Sequence, residues 1–266
     1  MDALKLMAVF AHPDDESLGI GSTLAKYATE GVETYLVTAT RGERGWFGLA
    51  EENPGLEALG RTRQAELQAA ARVLGLREVT LLDYIDGDLD QADPAQAIAN
   101  IVKHLRRVRP QVVVTFGPEG AYGHPDHIAI SQFTAAAVVC AADERYPAGD
   151  TLPHRVAKLY YYVDSESIVA LTESVIGEFT MDVDGVRRHH YGWPEWAITT
   201  RVDTSAHWRT ALEAIYCHKT QVASYELDKL TEEQHQRFWG MGTFYRAYSL
   251  VNGGRMVERD LFEGLR

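Results

Sequence analysis

Apolar and polar residues alternate in blocks along the first 165 residues of the chain, and the blocks predict strands and helices in turn. Five apolar runs have the length and continuity of buried strands: residues 4–11, 33–40, 78–82, 111–116 and 157–163. Four amphipathic stretches between them have helical spacing: residues 17–30, 56–75, 94–108 and 125–142. Continuous apolar strands joined by helices are typical of a parallel sheet that is covered on both faces. The pattern therefore predicts an α/β fold with a Rossmann-like, mostly parallel sheet and helices on both faces.

The pattern is weaker after about residue 165. Two short strands and two helices are predicted there: residues 178–183, 198–202, 205–216 and 231–239. Residues 184–196, which include Arg187-Arg188-His189-His190, are predicted to form a loop or a lid, and their charges are expected to be solvated. We expect a single domain over residues 1–266, with a core of residues 1–165 and a small C-terminal elaboration of residues 166–266.

Two clusters of ionisable residues stand directly after predicted strands. The first is His12-Pro13-Asp14-Asp15-Glu16, after the first strand, and the second is Tyr122-Gly123-His124-Pro125-Asp126-His127, after the fourth. In an open α/β sheet, ligands bind beyond the carboxyl ends of the strands, where the strand order reverses. If the first and fourth strands are neighbours at that point, the two clusters converge on one site.

The residue types in these clusters suit a catalytic metal ion. Zinc in a hydrolase typically takes three protein ligands from His, Asp or Glu and keeps a fourth position for water. His12 and Asp15 are separated by two residues, and His127 is the natural third ligand from the second cluster. This set of two imidazoles and one carboxylate fits Zn²⁺, although Fe²⁺, Co²⁺ or Mn²⁺ would also be accepted.

The other residues of the clusters offer acid–base and hydrogen-bonding groups. Asp14 is placed to take a proton from metal-activated water as a general base. Tyr122 and His124 are candidates to stabilise a developing oxyanion, and we expect Asp126 to hold His124 in one tautomer and to favour its charged form. Taken alone, the acidic run of the first cluster is equally well explained as favourable charge at a helix N-terminus.

Both clusters resemble those of a known family. Ala11-His12-Pro13-Asp14-Asp15-Glu16, together with His124-Pro125-Asp126-His127, is similar to the PIG-L/LmbE-type zinc-dependent N-acetylglucosaminyl de-N-acetylases. The likeness extends to four further elements: Thr40-Arg41-Gly42-Glu43, Arg63-x-x-Glu66, Asp86-Gly87 and His218-Lys219-Thr220-Gln221. It covers nearly the whole chain and is thinnest between about residues 140 and 197.

The resemblance implies roles for single residues. It implies that His12, Asp15 and His127 bind zinc and that Asp14 is the general base. It implies that Tyr122 and His124 stabilise the oxyanion. It also suggests that Arg63 and Asp86 contact the substrate. For Arg63 the alternative is an ion pair with Glu66, one helical turn further along the chain.

We therefore expect a zinc-dependent hydrolase that removes an N-acetyl group from a small polar glycoconjugate containing N-acetylglucosamine. One alternative is an amidase that uses the same site on a thiol-sugar conjugate or a secondary metabolite, and another is a non-catalytic sugar-binding module. The segments expected to contact the rest of the substrate are variable loops: residues 42–54, 184–196 and 239–248. The resemblance also implies a homo-oligomer, either a trimer or a hexamer.

Composition narrows the range of partners and compartments. The net charge of −12 disfavours a nucleic-acid backbone or an anionic membrane as the main partner. The apolar run near the start is far too short to span a bilayer, so we expect no membrane insertion. Cys140 and Cys217 are expected to be buried free thiols, with a single disulfide as the alternative. The cytoplasm is the expected location.

Overall fold

The structure is a computed structural model that describes residues 3–149, 151–222, 227–252 and 257–266. Its strands are β1 (Lys5–Phe10), β2 (Glu33–Thr40), β3 (Glu78–Tyr84), β4 (Val112–Phe116), β5 (Lys158–Tyr162), β6 (Thr180–Val183), β7 (Val186–His189), β8 (Thr200–Asp203) and β9 (Met241–Ser249). Its α-helices are α1 (Asp15–Thr29), α2 (Leu56–Leu74), α3 (Pro94–Val108), α4 (Gly120–Gly123), α5 (Pro125–Ala142), α6 (Glu166–Ile176), α7 (Trp208–Ile215), α8 (Lys219–Val222) and α9 (Glu232–Trp239). All five strands and four helices predicted in the first 165 residues are confirmed.

Seven strands form one sheet in the order β3-β2-β1-β4-β5-β9-β8. β2 pairs in parallel with β3, and β4 pairs in parallel with β5, whereas β9 is antiparallel to β5. Helices flank the sheet, so the predicted mostly parallel α/β fold is confirmed. The strand order reverses between β1 and β4, which are neighbours. This is the condition under which the two clusters that follow these strands converge.

Local sequence signals explain where the helices begin and end. α3 begins after Asp93, whose side chain accepts a hydrogen bond from the N–H of Ala95, and Pro94 occupies its first turn. α2 ends at Gly75, which has a φ of 73° and so adopts the left-handed conformation that glycine tolerates best. β1 is almost completely buried, as expected for a strand covered on both faces.

The chain folds into two compact units. Unit 1 consists of Met1–Leu4, Ala8–Leu89 and Asp203–Gly242, and unit 2 consists of Lys5–Met7, Asp90–Val202 and Thr243–Arg266. Within unit 1, α7 packs against α1 and α2, and a Cβ atom on Gly21 would lie 3.2 Å from Cβ of Ala211. Part of the expected C-terminal elaboration therefore belongs to the same unit as the N-terminal residues. The prediction of a single domain stays a prediction.

Two segments of the second half differ from what the sequence predicts. Residues 184–196 are not only a loop, because they contain β7, which pairs antiparallel with β6 around Asp184 and Gly185. Both turn residues have positive φ, as a two-residue hairpin turn of type I′ requires. The polar composition of β7 concealed this strand, since it lacks the apolar alternation of a half-buried strand.

The aromatic-rich residues 239–248 are not a variable loop either. Most of them belong to β9, which lies between β5 and β8 in the sheet. Aromatic residues favour strands, but β9 joins the sheet antiparallel and outside the strand–helix alternation on which the prediction rested.

The thiols of Cys140 and Cys217 are free, as predicted, but they are half-buried rather than buried. Within the described residues, no helix combines the length and the apolar character needed to cross a membrane.

Candidate metal and catalytic site

The first cluster forms the turn between β1 and α1. The Oδ2 atom of Asp15 accepts hydrogen bonds from the backbone N–H groups of Ala11, at 3.1 Å, and of His12, at 2.8 Å. Asp14 has a φ of 113°, a conformation that costs a non-glycine residue about 1–3 kcal/mol and is concentrated at functional sites. The turn is therefore held by its own side chains in a backbone shape that the chain does not adopt freely.

His12 is the buried centre of this cluster. Its Nε2 atom lies 3.0 Å from Oδ1 of Asp86, and its Nδ1 atom lies 3.8 Å from Oδ2 of Asp15. Burial raises the pKa of Asp15 to about 7, although the nearby His12 works against this shift. Burial also opposes the charge of Asp86, but His12 and Arg63 hold the pKa of Asp86 below its usual range. Asp86, predicted to contact the substrate, thus lies directly against a predicted metal ligand.

Arg63 connects the first cluster to the loop after β2. Its guanidinium donates to the carbonyl oxygen of Gly42 at 2.8 Å and to that of Pro13 at 2.6 Å. It also donates to Oδ2 of Asp14 at 3.2 Å. Burial raises the pKa of Asp14 above its usual range, and the charge of Arg63 is the strongest influence in the opposite direction. Arg63 therefore orients the predicted base.

The alternative ion pair between Arg63 and Glu66 is replaced by other contacts. The carboxylate of Glu66 accepts hydrogen bonds from the backbone N–H and the hydroxyl of Thr220, at 3.0 and 2.7 Å. The prediction that Arg63 contacts the substrate stays a prediction.

The second cluster follows β4 and begins α5. The ring of His127 stacks on Phe116 with a centroid distance of 4.0 Å, and the rings of His124 and His127 stack at 4.7 Å. His124 caps α5, because its Nδ1 atom accepts a hydrogen bond from the backbone N–H of Asp126 at 3.1 Å. As an acceptor in this contact, Nδ1 leaves Nε2 as the ring atom that can donate. The expected influence of Asp126 on the tautomer and charge of His124 stays a prediction.

Tyr122 belongs to a strained turn, which we call the Tyr122 turn and define as residues 119–123. Its ring lies 5.2 Å from the ring of His127 and 5.8 Å from that of His124. The preceding residue, Ala121, has φ 63° and ψ −65°, the rare and strained conformation of a γ-turn. The predicted oxyanion donor is thus packed against both predicted histidines by an unusual backbone.

Among the described residues, two groups of three side chains offer ligand atoms that lie within 4.8 Å of one another. They are His12, His124 and His127, and His12, Asp86 and Asp126. Imidazole nitrogens and carboxylate oxygens are the donors that zinc takes in catalytic sites, so these residues fit such an ion. Asp15 is in neither group, and its role as a metal ligand stays a prediction.

A buried network behind the first cluster was not predicted from the sequence. The Nε2 atom of His218 lies 2.8 Å from Oε1 of Glu16, and the hydroxyl of Ser17 donates to the same oxygen at 2.5 Å. The other carboxylate oxygen of Glu16 accepts from the backbone N–H of Asp14 at 3.0 Å. Burial opposes both charges, yet the pairing lowers the pKa of Glu16 and raises that of His218. The family resemblance of residues 218–221 was the only signal that pointed to this network.

Comparisons with known proteins identify the family of the chain. Residues 7–138 match the family described as PIG-L: GlcNAc-PI de-N-acetylase. A 1D-myo-inositol 2-acetamido-2-deoxy-alpha-D-glucopyranoside deacetylase from Streptomyces griseus subsp. griseus is 36% identical, and the match covers 100% of this chain and 90% of the relative. The chain therefore belongs to the PIG-L de-N-acetylase family.

Solved structures show the same fold in proteins of different activity. N,N'-diacetylchitobiose deacetylase from Pyrococcus horikoshii matches with a TM-score of 0.70 and 22% identity, covering 92% of this chain and 84% of that one. The 4-carboxy-2-hydroxymuconate hydratase from Pseudomonas putida KT2440 matches with a TM-score of 0.67 and 17% identity, covering 94% and 99%. Because a deacetylase and a hydratase share the fold, the chemistry has to be argued from the site residues.

Proposed function

We propose that the protein hydrolyses the amide bond of an N-acetylglucosamine unit in a small polar glycoconjugate and releases acetate. The observation that carries this proposal is the set of imidazole and carboxylate ligand atoms around His12, in a chain of the PIG-L family. The Streptomyces griseus relative is named for a sugar of this kind joined to inositol, which supports the substrate class.

The proposed zinc ligands are His12, Asp15 and His127. His124 is the alternative to Asp15, because its ring nitrogen belongs to the same group as those of His12 and His127. In that case the hydroxyl of Tyr122 is the remaining oxyanion donor. When bound, zinc supplies a Lewis acid for the acetyl carbonyl and for the attacking water.

The chain's own residues then move the protons. Asp14, oriented by Arg63 at 3.2 Å, accepts one proton as the water oxygen bonds to the acetyl carbon. Tyr122 and the Nε2–H of His124 donate hydrogen bonds to the oxyanion that forms. The C–N bond breaks as the amine nitrogen takes the proton that Asp14 accepted from the water, which leaves acetate and a free amine.

A substrate panel tests this proposal. Purified protein loaded with zinc is incubated with N-acetylglucosaminyl-inositol, diacetylchitobiose, thiol-pathway intermediates and analogues with larger acyl groups, and the free amine is measured. We expect acetate release to exceed release of larger acyl groups, and to be lost after chelation and in the Asp14→Ala variant. Failure to release any amine while zinc stays bound would overturn the proposal.

We also infer that the protein forms a homo-oligomer, a trimer or a hexamer, in the cytoplasm. The resemblance supports the oligomer, and the large exposed apolar side chains, of which Trp196 is 85% exposed, are consistent with contacts between copies. Light scattering on the purified protein determines the number of copies.

A further inference from the structure

Residues 186–193, which we call the clamp segment, run antiparallel to the Tyr122 turn and contact it almost residue by residue. Arg188 donates to the carbonyl oxygen of Gly123 at 2.8 Å, and the backbone N–H of Tyr191 donates to that of Ala121 at 2.9 Å. Next along the chain, the indole N–H of Trp193 donates to Glu119 at 2.9 Å. Between these contacts, the ring of His190 lies 6.1 Å from the ring of Tyr122.

These contacts fall where the backbone of the turn is strained. Ala121 has a positive φ that a residue with a side chain rarely adopts, and Gly120 and Gly123 beside it also have positive φ. Such a conformation persists only when the surrounding structure fixes it. The hydrogen bonds from the clamp segment to the carbonyl groups of Ala121 and Gly123 fix it from outside the turn.

The clamp segment is itself firmly anchored. The backbone N–H of Trp193 donates to the carbonyl oxygen of Asp164 at 2.7 Å, and the N–H of Glu166 donates to that of Trp193 at 2.9 Å. Gly192 lies so close to α6 that a Cβ atom there would be 2.7 Å from Cα of Glu166. The segment therefore has little freedom to move away from the turn at this end.

The ring of His190 is held from two sides. Its Nε2 atom lies 2.6 Å from Oδ2 of Asp164. The other carboxylate oxygen, Oδ1, accepts a hydrogen bond from the hydroxyl of Tyr162 at 2.9 Å. The ring stacks on Phe179 with a centroid distance of 4.3 Å. With its side chain only 9% exposed, His190 presents a fixed surface to Tyr122.

The run Arg187-Arg188-His189-His190 presents two different faces, because alternate residues of a strand point to opposite sides. Arg188 and His190 contact the Tyr122 turn or its ring. Arg187, on the other side, is 62% exposed and pairs with the exposed Asp182, and His189 is exposed. The solvated charges expected from the sequence are therefore only half of this run.

We propose that the clamp segment sets the conformation of the Tyr122 turn, and that Arg188 and His190 are positioning residues for the Tyr122 hydroxyl. This inference rests on the proposed role of Tyr122 in amide hydrolysis. A donor to an oxyanion acts only when it is held at the correct place, and a small displacement costs a large factor in rate.

The first test compares Arg188→Ala and His190→Ala with their matched neighbours Arg187→Ala and His189→Ala. We expect the first two to lower kcat by about 10-fold to 100-fold, with KM and zinc content within about twofold of the unsubstituted protein. The two neighbours keep the full kcat. His190→Phe, which retains a ring against Phe179, serves as a second variant if His190→Ala does not fold.

The same substitutions are then made in a Tyr122→Phe background. If the clamp acts through the hydroxyl, they cost less than about twofold there, because the group they position is already absent. An equal loss of kcat in both backgrounds would show a general structural role and overturn the inference. Full activity of Tyr122→Phe alone would instead remove Tyr122 from the proposed mechanism.

A measurement without substrate separates the two failures. Hydrogen exchange of a peptide covering residues 117–124 is followed in the zinc-loaded protein, where Arg188→Ala is expected to speed exchange at least about threefold and Arg187→Ala to leave it unchanged. Unchanged exchange in Arg188→Ala overturns the clamp even if the enzyme is active. Faster exchange supports the clamp even if the proposed substrate is wrong.

Discussion

The two clusters of the site are held in place by different forces. The turn after β1 is built from buried charges: Asp14 is paired with Arg63, and Glu16 with His218. The turn after β4 is built from rings and backbone hydrogen bonds, with His127 stacked on Phe116. Charged partners shift the pKa of a neighbouring carboxyl group and orient the base. Stacked rings hold the side chains of the second cluster in position. Substitutions in the first cluster should therefore lower activity by impairing proton transfer. Substitutions in the second cluster should lower it by displacing the oxyanion donor.

The largest effect is expected in the first cluster. Asp14→Asn keeps the shape of the side chain and its contact with Arg63 but removes the proton acceptor, so kcat should fall by about 10²–10⁴-fold. Zinc content measured on the same sample should not change. Glu57→Gln, at an exposed acidic residue of α2, is the matched control. A kcat for Asp14→Asn near that of the control removes the base from the mechanism.

Loss of a charged pair in the first cluster should also lower the free energy of unfolding. His218→Leu leaves the carboxylate of Glu16 buried without its charged partner, and we expect the free energy of unfolding to fall by about 3–5 kcal/mol. Lys219→Ala, at the exposed next residue, should change it by less than about 0.5 kcal/mol. Urea denaturation of both variants measures the difference. Equal stability of the two would mean that the pair is not a support of this turn.

Much of the fold was predictable from the sequence because its signals are local. β1 and β4 are continuous apolar runs, and the clusters that follow them contain most of the proposed chemistry. The pairs that hold the first cluster were not predictable in the same way. His218 lies 202 residues from Glu16, and Arg63 lies 49 residues from Asp14. No periodicity connects residues that far apart, so only the folded chain reveals which residues orient the base.

The second cluster shows a different limit of prediction. Its ring residues follow one another in the sequence and could be grouped at once, but their support comes from a hairpin whose strand β7 is polar throughout its middle. Hydrophobic alternation does not detect such a strand. The Asp184-Gly185 pair was the available signal, because this pair favours a two-residue hairpin turn.

In the second cluster the loss should appear in kcat without a change in stability. Tyr122→Phe removes one oxyanion donor and should lower kcat by about 10²–10³-fold, while its ring stays packed against His124 and His127. Tyr216→Phe, at an exposed ring outside both clusters, is the control. Comparison of kcat with the melting temperature checks the prediction, and a matching drop in both would assign Tyr122 to packing alone.

The smallest effect concerns a charged group of unit 2 outside the site. Burial opposes the charge of Glu258, but Lys158, at 2.8 Å, and Tyr160, at 2.6 Å, lower its pKa below the ordinary value of 4.5. A lowered pKa in the folded state means stability that is present above pH 4.5 and lost as the pH falls through the folded value. Between pH 6 and pH 3 the melting temperature should therefore fall less steeply with decreasing pH in Glu258→Gln than in the unsubstituted protein. An unchanged slope would show that this carboxylate does not contribute.

The proposed hydrolysis requires the two clusters to share one metal ion. Crystals of the zinc-loaded protein, measured at the zinc absorption edge, test it directly. We expect a single anomalous peak at about 2.0–2.2 Å from a ring nitrogen of His12 and a ring nitrogen of His127, with a carboxylate or a third imidazole completing the set. A fully active protein with no peak at His12, or with a peak that His127 does not reach, would contradict it.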